Sequence, residues 1–152
     1  MTQSNPLVGV WRITAFKFET EGAKEQRDIY DQHPSGFLII TAEGRVMALI
    51  TAGERASNAS PDTLFGSMTA YSGQYRLQGA DTFVTKVDSA WHPSWLGTEQ
   101  VRHFKLDGNT LSVVSPPQEH PRFPGQRVQA LQSGREKTRY SELPTTMLDL
   151  SP

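Results

Sequence analysis

The chain has 152 residues, of which 36% are hydrophobic and 20% charged, with a formal net charge of -1 and no cysteine. These values are typical of one folded domain, and the lack of cysteine excludes disulfides, zinc–thiolate sites, iron–sulfur clusters and a cysteine nucleophile. Scattered Lys and Arg residues argue against nucleic-acid binding, and no apolar run approaches the length of about 18 residues needed to span a bilayer. No secretory signal is visible at the first residues, so we expect a cytoplasmic protein.

The first part of the chain predicts short strands separated by Gly and Pro, which is typical of an all-β fold. A strand is predicted over residues 8–18, followed by a long polar surface connection over residues 19–35. Strands over residues 37–41 and 45–51 then form a hairpin, whose loop carries Gly44 where a positive φ is needed.

One short helix is predicted over residues 61–70, with Ser60 as the N-cap and Pro61 at the first helical position. Four apolar residues recur at helical spacing and place this helix as a lid or plug at a barrel end. These residues are Leu64, Phe65, Met68 and Tyr71.

The second half continues with strands and a Pro-rich loop over residues 116–125. Asp107-Gly108-Asn109 is the strongest hairpin signal in the chain. We predict one domain over residues 1–140 and a tail over residues 141–152 that is flexible or wraps onto a partner subunit in a homodimer. The predicted strands cover residues 73–77, 81–91, 100–106, 110–115 and 127–135.

With a single helix, the strands must cover one another. We therefore predict an all-β, closed antiparallel barrel of about 8–10 strands with one short helix, because closure also removes exposed sheet edges. Alternation along each strand predicts which side chains face the interior. In the second half these are Tyr75, Leu77, Phe83, Thr85, Val87, Ser89, Trp91, Gln100, Arg102, Phe104 and Leu106.

Arg102 is the most informative of these residues, because a buried Arg keeps its charge and needs hydrogen-bond acceptors. Three alternatives are open. The guanidinium can reach water at a barrel end, pair with a buried carboxylate, or contact an oxygen of a ligand.

Several segments carry a family resemblance. The start is Leu7-Val8-Gly9-Val10-Trp11-Arg12, further segments lie at residues 36–44, 71–75 and 111–117, and the most specific is Trp95-Leu96-Gly97-Thr98-Glu99-Gln100-Val101-Arg102-His103-Phe104. Over about residues 7–135 the chain resembles the lipocalin-like domain family of small bacterial and fungal proteins.

The resemblance implies a closed barrel with Trp11 near its closed end, stacked under Arg135 as a structural device. Similar proteins often carry a His-His pair where this chain has Thr85 and Lys86, which is a departure from the pattern. Some lipocalin-like barrels are cofactor-free isomerases, cyclases or dehydratases, so the resemblance leaves binding and catalysis open.

Among the histidines, His92 lies in an aromatic turn at a predicted barrel rim. It can move a proton near neutral pH or simply bond the backbone of its own turn. His33 and His120 precede prolines in polar loops and are predicted at the surface, and His103 is predicted to point outward. No metal-ligand spacing is present, so we predict no metal site and no cofactor.

Our first hypothesis is the binding of a small, mostly apolar, aromatic or oxygenated molecule, with Gln100, Arg102, Tyr71 and Tyr75 as the polar contacts. The second is a cofactor-free isomerase, cyclase or lyase. There Arg102 stabilises an oxyanion, Gln100 or Tyr75 adds a hydrogen bond, and His92 moves a proton. A third is a structural or subunit-interaction role. The predicted cavity walls are Phe37, Ile39, Phe83, Val87, Trp91, Trp95, Phe104 and Leu106.

Overall fold

The structure, a computed structural model, describes residues 5–20, 26–28, 30, 32–121 and 123–138. This part of the chain forms ten strands, one helix α1 (Pro61–Gly66) and one 3-10 turn (Pro93–Trp95). The strands are β1 (Gly9–Thr20), β2 (Gln26–Asp28), β3 (Ser35–Ile40), β4 (Arg45–Thr51), β5 (Met68–Leu77), β6 (Thr82–Ala90), β7 (Glu99–Asp107), β8 (Thr110–Val114), β9 (Gln118–His120) and β10 (Phe123–Thr138).

The strands form one antiparallel sheet in the order β2-β1-β3-β4-β5-β6-β7-β8-β10-β9. A further ladder joins β1 to β10, and this pairing closes the sheet into a barrel. The short strand β2 pairs with β1, and the short strand β9 pairs with β10. Both lie beside the longer strands at one end of the barrel. The predicted all-β, closed antiparallel barrel with one short helix is therefore confirmed in the described residues.

The two ends of the barrel differ. Tight turns join β3 to β4, β5 to β6 and β7 to β8 at one end, which we call the closed end. Trp11 is buried there, and its Nε1 donates to the carbonyl oxygen of Leu7 at 2.8 Å. The connections at residues 52–67, 91–98 and 115–117 reach the opposite end, which we call the mouth. The side chain of Arg135, expected to cover Trp11, lies outside the described part, as does the predicted tail.

Alternation along β4 is strict, and it shows how the wall is built. Val46, Ala48 and Ile50 are buried in the barrel, whereas Met47 and Leu49 are exposed on its outer face. Because side chains of successive strand residues point to opposite faces, this register determines the faces of the neighbouring strands as well.

The prediction that Phe37 and Ile39 line the cavity is wrong. Phe37 pairs with Leu49 and Ile39 pairs with Met47, and directly opposed residues share a sheet face. Since both partners are exposed, Phe37 and Ile39 belong to the outer wall. Their segment is four apolar residues in a row, a pattern with no alternation from which to read a face.

The helix is shorter than predicted. Its start is confirmed, because Ser60 accepts a hydrogen bond from the Thr63 amide at 3.2 Å and a Pro occupies the first turn. It ends at Gly66, a poor helix former, and Met68 and Tyr71 belong to β5 instead. Pairing with β4 begins at Met68, so the antiparallel ladder overrides the helical spacing.

Two predicted interior positions are also wrong. A bulge shifts the β5–β6 register between Ser72 and Gly73, so that Ser89 pairs with Ser72 and is exposed. Gly73 is required there, because a Cβ would overlap the carbonyl oxygen of Lys86. Leu77 is 48% exposed, since it is the last residue of β5 at the closed end.

The two predicted loops contain more structure than their composition suggests. The polar connection over residues 19–35 includes β2 and the buried Tyr30, whose hydroxyl lies 2.8 Å from Thr69 Oγ1. The Pro-rich loop over residues 116–125 includes β9 and the start of β10. Both added strands pair near the mouth, so they build that end of the barrel.

Candidate functional site

A half-enclosed cavity of about 140 Å³ lies at the mouth, where the long connections meet. Aromatic and histidine side chains make up most of its wall. A cavity of roughly 150 Å³ is known to accept benzene, so this one has room for a single aromatic ring. The lining residues are Tyr30, Phe65, Gly66, Met68, Trp91, His92, His120 and Pro121.

His92 lies on this wall, in the turn between β6 and β7. Its Nδ1 accepts a hydrogen bond from the Ser94 amide at 3.2 Å and lies 2.8 Å from Ser94 Oγ. Its ring centroid is 6.0 Å from that of Phe65 and 6.1 Å from that of Trp91. The bond to its own turn orients the imidazole, and the same orientation places the ring against the cavity.

His120 is a cavity residue that the sequence did not identify, and the prediction of a surface position is wrong. Its side chain is 5% exposed. The ring centroid lies 5.0 Å from Phe18, 5.7 Å from Trp91 and 5.6 Å from Trp95. Only the pairing of β9 with β10 brings it there, and a His in a polar, Pro-rich segment carries no local signal for that pairing. The other predictions hold: His33 and His103 are exposed.

Trp95 connects the cavity wall to the barrel interior. It is 5% exposed, although it lies in a connection rather than in a strand. Its ring centroid is 5.0 Å from that of Trp91 and 5.1 Å from that of Tyr71. The guanidinium carbon of Arg102 lies 5.9 Å from the same indole. Trp95 thus contacts both a cavity-lining ring and the buried charge.

Arg102 is 3% exposed, as strand alternation predicts. Its guanidinium lies 5.9 Å from the ring centroids of both Tyr71 and Trp95. Nη1 donates to the carbonyl oxygen of Val101 at 2.8 Å, and Nη2 donates to Gln100 Oε1 at 3.2 Å. Among the described residues no carboxylate pairs with it, and its Nε has no acceptor. Neither solvent nor a buried carboxylate therefore explains this charge within the described part.

Gln100 links Arg102 to the connection that carries Trp95. Gln100 Oε1 also accepts from Gln118 Nε2 at 3.1 Å, while Gln100 Nε2 donates to Thr98 Oγ1 at 2.9 Å. Thr98 Oγ1 in turn donates to the carbonyl oxygen of Trp95 at 2.7 Å. A continuous hydrogen-bond chain thus runs from the buried cation to the backbone beneath the indole.

Thr85 is a second buried polar residue with unused hydrogen-bonding capacity. It is 0% exposed, and within the described ranges its Oγ1 has no hydrogen-bond partner. Thr85 pairs with Gln100 across β6 and β7, so the two share the interior face with Arg102. The sequence placed Thr85 in the interior but did not identify it as a site residue.

Tyr75 and its neighbours lie toward the closed end. The Tyr75 hydroxyl accepts from Asn5 Nδ2 at 2.7 Å and donates to the Thr41 carbonyl oxygen at 3.1 Å. Burial raises the pKa of Tyr75 above its usual value, and the hydrogen bond from Asn5 only partly offsets this. Phe83 packs against it, and Phe104 packs against Phe83. These three residues line the barrel interior away from the mouth cavity, and their part in ligand binding stays a prediction.

The acidic partners of two other Arg residues are on the outer wall. Arg45 Nη2 lies 2.8 Å from Asp88, and Arg76 Nη1 lies 3.1 Å from Glu99. The hydrogen bonds from these guanidinium groups hold the pKa of each carboxyl below its usual range. Because both pairs are exposed, they leave the interior charge of Arg102 uncompensated.

In the part of the chain that the structure describes, no helix combines the length and hydropathy needed to cross a membrane. Over the same residues, no three His, Cys, Asp or Glu side chains cluster as metal ligands.

No curated protein matches the chain. The family model described as "Lipocalin-like domain" matches residues 8–143, a range that includes the strands of the closed barrel and the connections of the mouth. Most of the chain is thus covered, and the closed antiparallel barrel agrees with the match. The protein belongs to the lipocalin-like domain family.

Proposed function

We propose that the barrel binds a small, mostly apolar molecule at its mouth, and that aromatic, oxygenated compounds are the preferred class. The observation that carries this proposal is the cavity of about 140 Å³ with aromatic and histidine walls. Small-molecule sites are typically concave and mostly apolar, with a few polar groups that orient the ligand. His92 and His120 supply such groups here.

Native mass spectrometry after incubation with a small-molecule extract of the source cells tests this proposal. We expect a discrete mass adduct that disappears on denaturation. Met68→Trp, which puts a large ring into the cavity, should remove the adduct. Met47→Trp is the matched control, because the same change on the exposed outer face leaves the cavity unaltered. No adduct, or an adduct that survives Met68→Trp, would count against a ligand site at the mouth.

A second candidate is a cofactor-free isomerase, cyclase or lyase, and the two histidines on the cavity wall favour it. An imidazole near neutral pH can take or give a proton to a molecule held against it. The discriminating result is the state of the recovered compound. A binding protein returns it unchanged, whereas an enzyme shifts its mass or isomeric form with time and loses that turnover in His92→Ala. The cytoplasmic location and a homodimer contact through the tail remain predictions.

A further inference from the structure

We infer that Arg102 and Thr85 form an anion subsite beneath the mouth cavity, and that the ligand is a small aromatic or apolar molecule carrying one carboxylate or other anionic oxygen. This inference rests on the proposed function, because it assigns the chemical class of the molecule bound there. It also explains two buried polar groups that the fold itself leaves unused.

The first argument is the charge of Arg102. A guanidinium does not lose its proton in a protein, so burial cannot be relieved by neutralisation. At 3% exposure the group is cut off from water, and among the described residues it faces no carboxylate. Two aromatic rings and two neutral carbonyl-type oxygens stabilise the charge without cancelling it. A ligand anion would supply the missing counter-charge.

The second argument is the pair of unused polar atoms. Arg102 Nε and Thr85 Oγ1 are both buried and have no partner in the described part of the chain. Thr85 is opposite Gln100 in the β6–β7 ladder, and Arg102 lies two residues further along the same face of β7. Diagonal neighbours on one sheet face have Cα atoms about 7–8 Å apart, so both side chains enter the same part of the barrel interior. The Thr85 hydroxyl and the Arg102 N–H would each donate to the anion.

The third argument is the position of the subsite relative to the cavity. Trp95 contacts Arg102 on the interior side and Trp91, a cavity-lining residue, on the mouth side. A molecule whose ring occupies the cavity would direct its anionic group inward, past Trp95. Because Trp95 lies between the cavity and Arg102, binding of the anion would require displacement of this indole from its place in the short 3-10 turn.

Benzoate and benzamide are suitable probes, because they share a ring and shape and differ in charge. Affinities are measured by calorimetry at constant ionic strength for the intact protein, for Arg102→Met and for Thr85→Val. We expect benzoate to bind more tightly than benzamide to the intact protein. In Arg102→Met the benzoate affinity should fall about tenfold or more, as for the loss of a charge-assisted hydrogen bond, while the benzamide affinity stays within a few-fold.

Thr85→Val keeps the test valid if Arg102→Met folds poorly. It replaces a buried, unpartnered hydroxyl by a methyl group of the same shape, so the free protein should keep or gain thermal stability while benzoate binding weakens several-fold. Arg76→Met is the charge control, because it removes an exposed guanidinium on the outer wall and should leave benzoate binding unchanged.

The outcomes separate the two proposals. Equal binding of benzoate and benzamide would support a mouth cavity but overturn the anion subsite. A benzoate preference that persists in Arg102→Met and Thr85→Val would also overturn it, since the anion would then bind elsewhere. Failure of both compounds to bind would count against the proposed function itself.

Discussion

Replacement of Trp95 by Ala tests whether this side chain is packed inside the barrel beneath the mouth, as the structure shows. A buried Trp covers about 150–250 Å², which at about 25 cal/mol per Å² corresponds to roughly 4–6 kcal/mol of transfer free energy. Measured Trp-to-Ala changes in protein cores cost about 3–5 kcal/mol. Because Trp95 adjoins a half-enclosed cavity that water can enter, we expect a loss near the lower end, about 3 kcal/mol.

Equilibrium urea denaturation measures this loss as a change in the free energy of unfolding. A loss of about 3 kcal/mol corresponds to a fall in Tm of roughly 6–12 °C for a chain of this size. Leu96→Ala is the matched control, because it truncates an exposed neighbour in the same connection and should change stability by less than about 0.5 kcal/mol.

Added indole provides a second measurement on Trp95→Ala. If the indole ring is packed as the structure shows, free indole should bind the vacated space and restore stability. A concentration one hundred times its Kd would restore about 2.7 kcal/mol. If Trp95→Ala proved no more destabilising than Leu96→Ala, and indole had no effect, the placement of Trp95 inside the barrel would be refuted.

Three further predictions concern the barrel itself. Tyr75→Phe should cost about 1–2 kcal/mol by urea denaturation, because two hydrogen bonds at the closed end are lost. Since the pKa of Tyr75 is raised in the folded state, this contribution is present below its usual pKa and should fade as the pH rises through the raised value. Gly73→Ala should lower the free energy of unfolding by about 3 kcal/mol or more, because the added Cβ overlaps the Lys86 carbonyl oxygen. Gly79→Ala should lower it by only about 1–2 kcal/mol, since a Cβ there meets open space and only the positive φ is strained. An NMR titration should show that the pKa of the Asp88 carboxyl lies below its usual range and that it returns toward that range in Arg45→Met. Because this pKa is lowered in the folded state, any stability that the pair contributes is lost as the pH falls through the lowered pKa.

The barrel wall could be predicted from the sequence because its determinants are local. Gly44 and Gly108 have positive φ in the two tight turns where the sequence expected hairpins. Alternation in β7 placed Gln100 and Arg102 in the interior, and both are buried. Turn-forming residues and the alternation of side chains along a strand depend only on neighbouring residues, so they can be recognised without knowledge of the rest of the chain.

The mouth could not be predicted in the same way, because its residues are brought together by long-range pairing. Tyr30 and His120 come from segments that composition marks as polar loops, where the structure has the three-residue strands β2 and β9. The end of the helix was decided by the pairing of Met68 with Thr51 in β4, which is also invisible locally. A candidate site built from several connections is therefore the part of such a barrel that a single sequence describes least well.

The most specific segment of the family resemblance turns out to be one connected unit. Residues at alternate positions of β7, Gln100 and Arg102, point inward, and Thr98 extends the same row to the mouth. The Thr98 hydroxyl binds the carbonyl oxygen of Trp95, so the residue that covers the buried charge and the residue that carries it are joined by hydrogen bonds. A displacement of the Trp95 backbone would therefore break or carry the Thr98 bond, and through it would affect Gln100. The hydrogen-bond chain thus connects the turn that carries Trp95 to the side chain of Arg102, and this connection gives a physical reason for Trp, Thr, Gln and Arg to occur together in one short run.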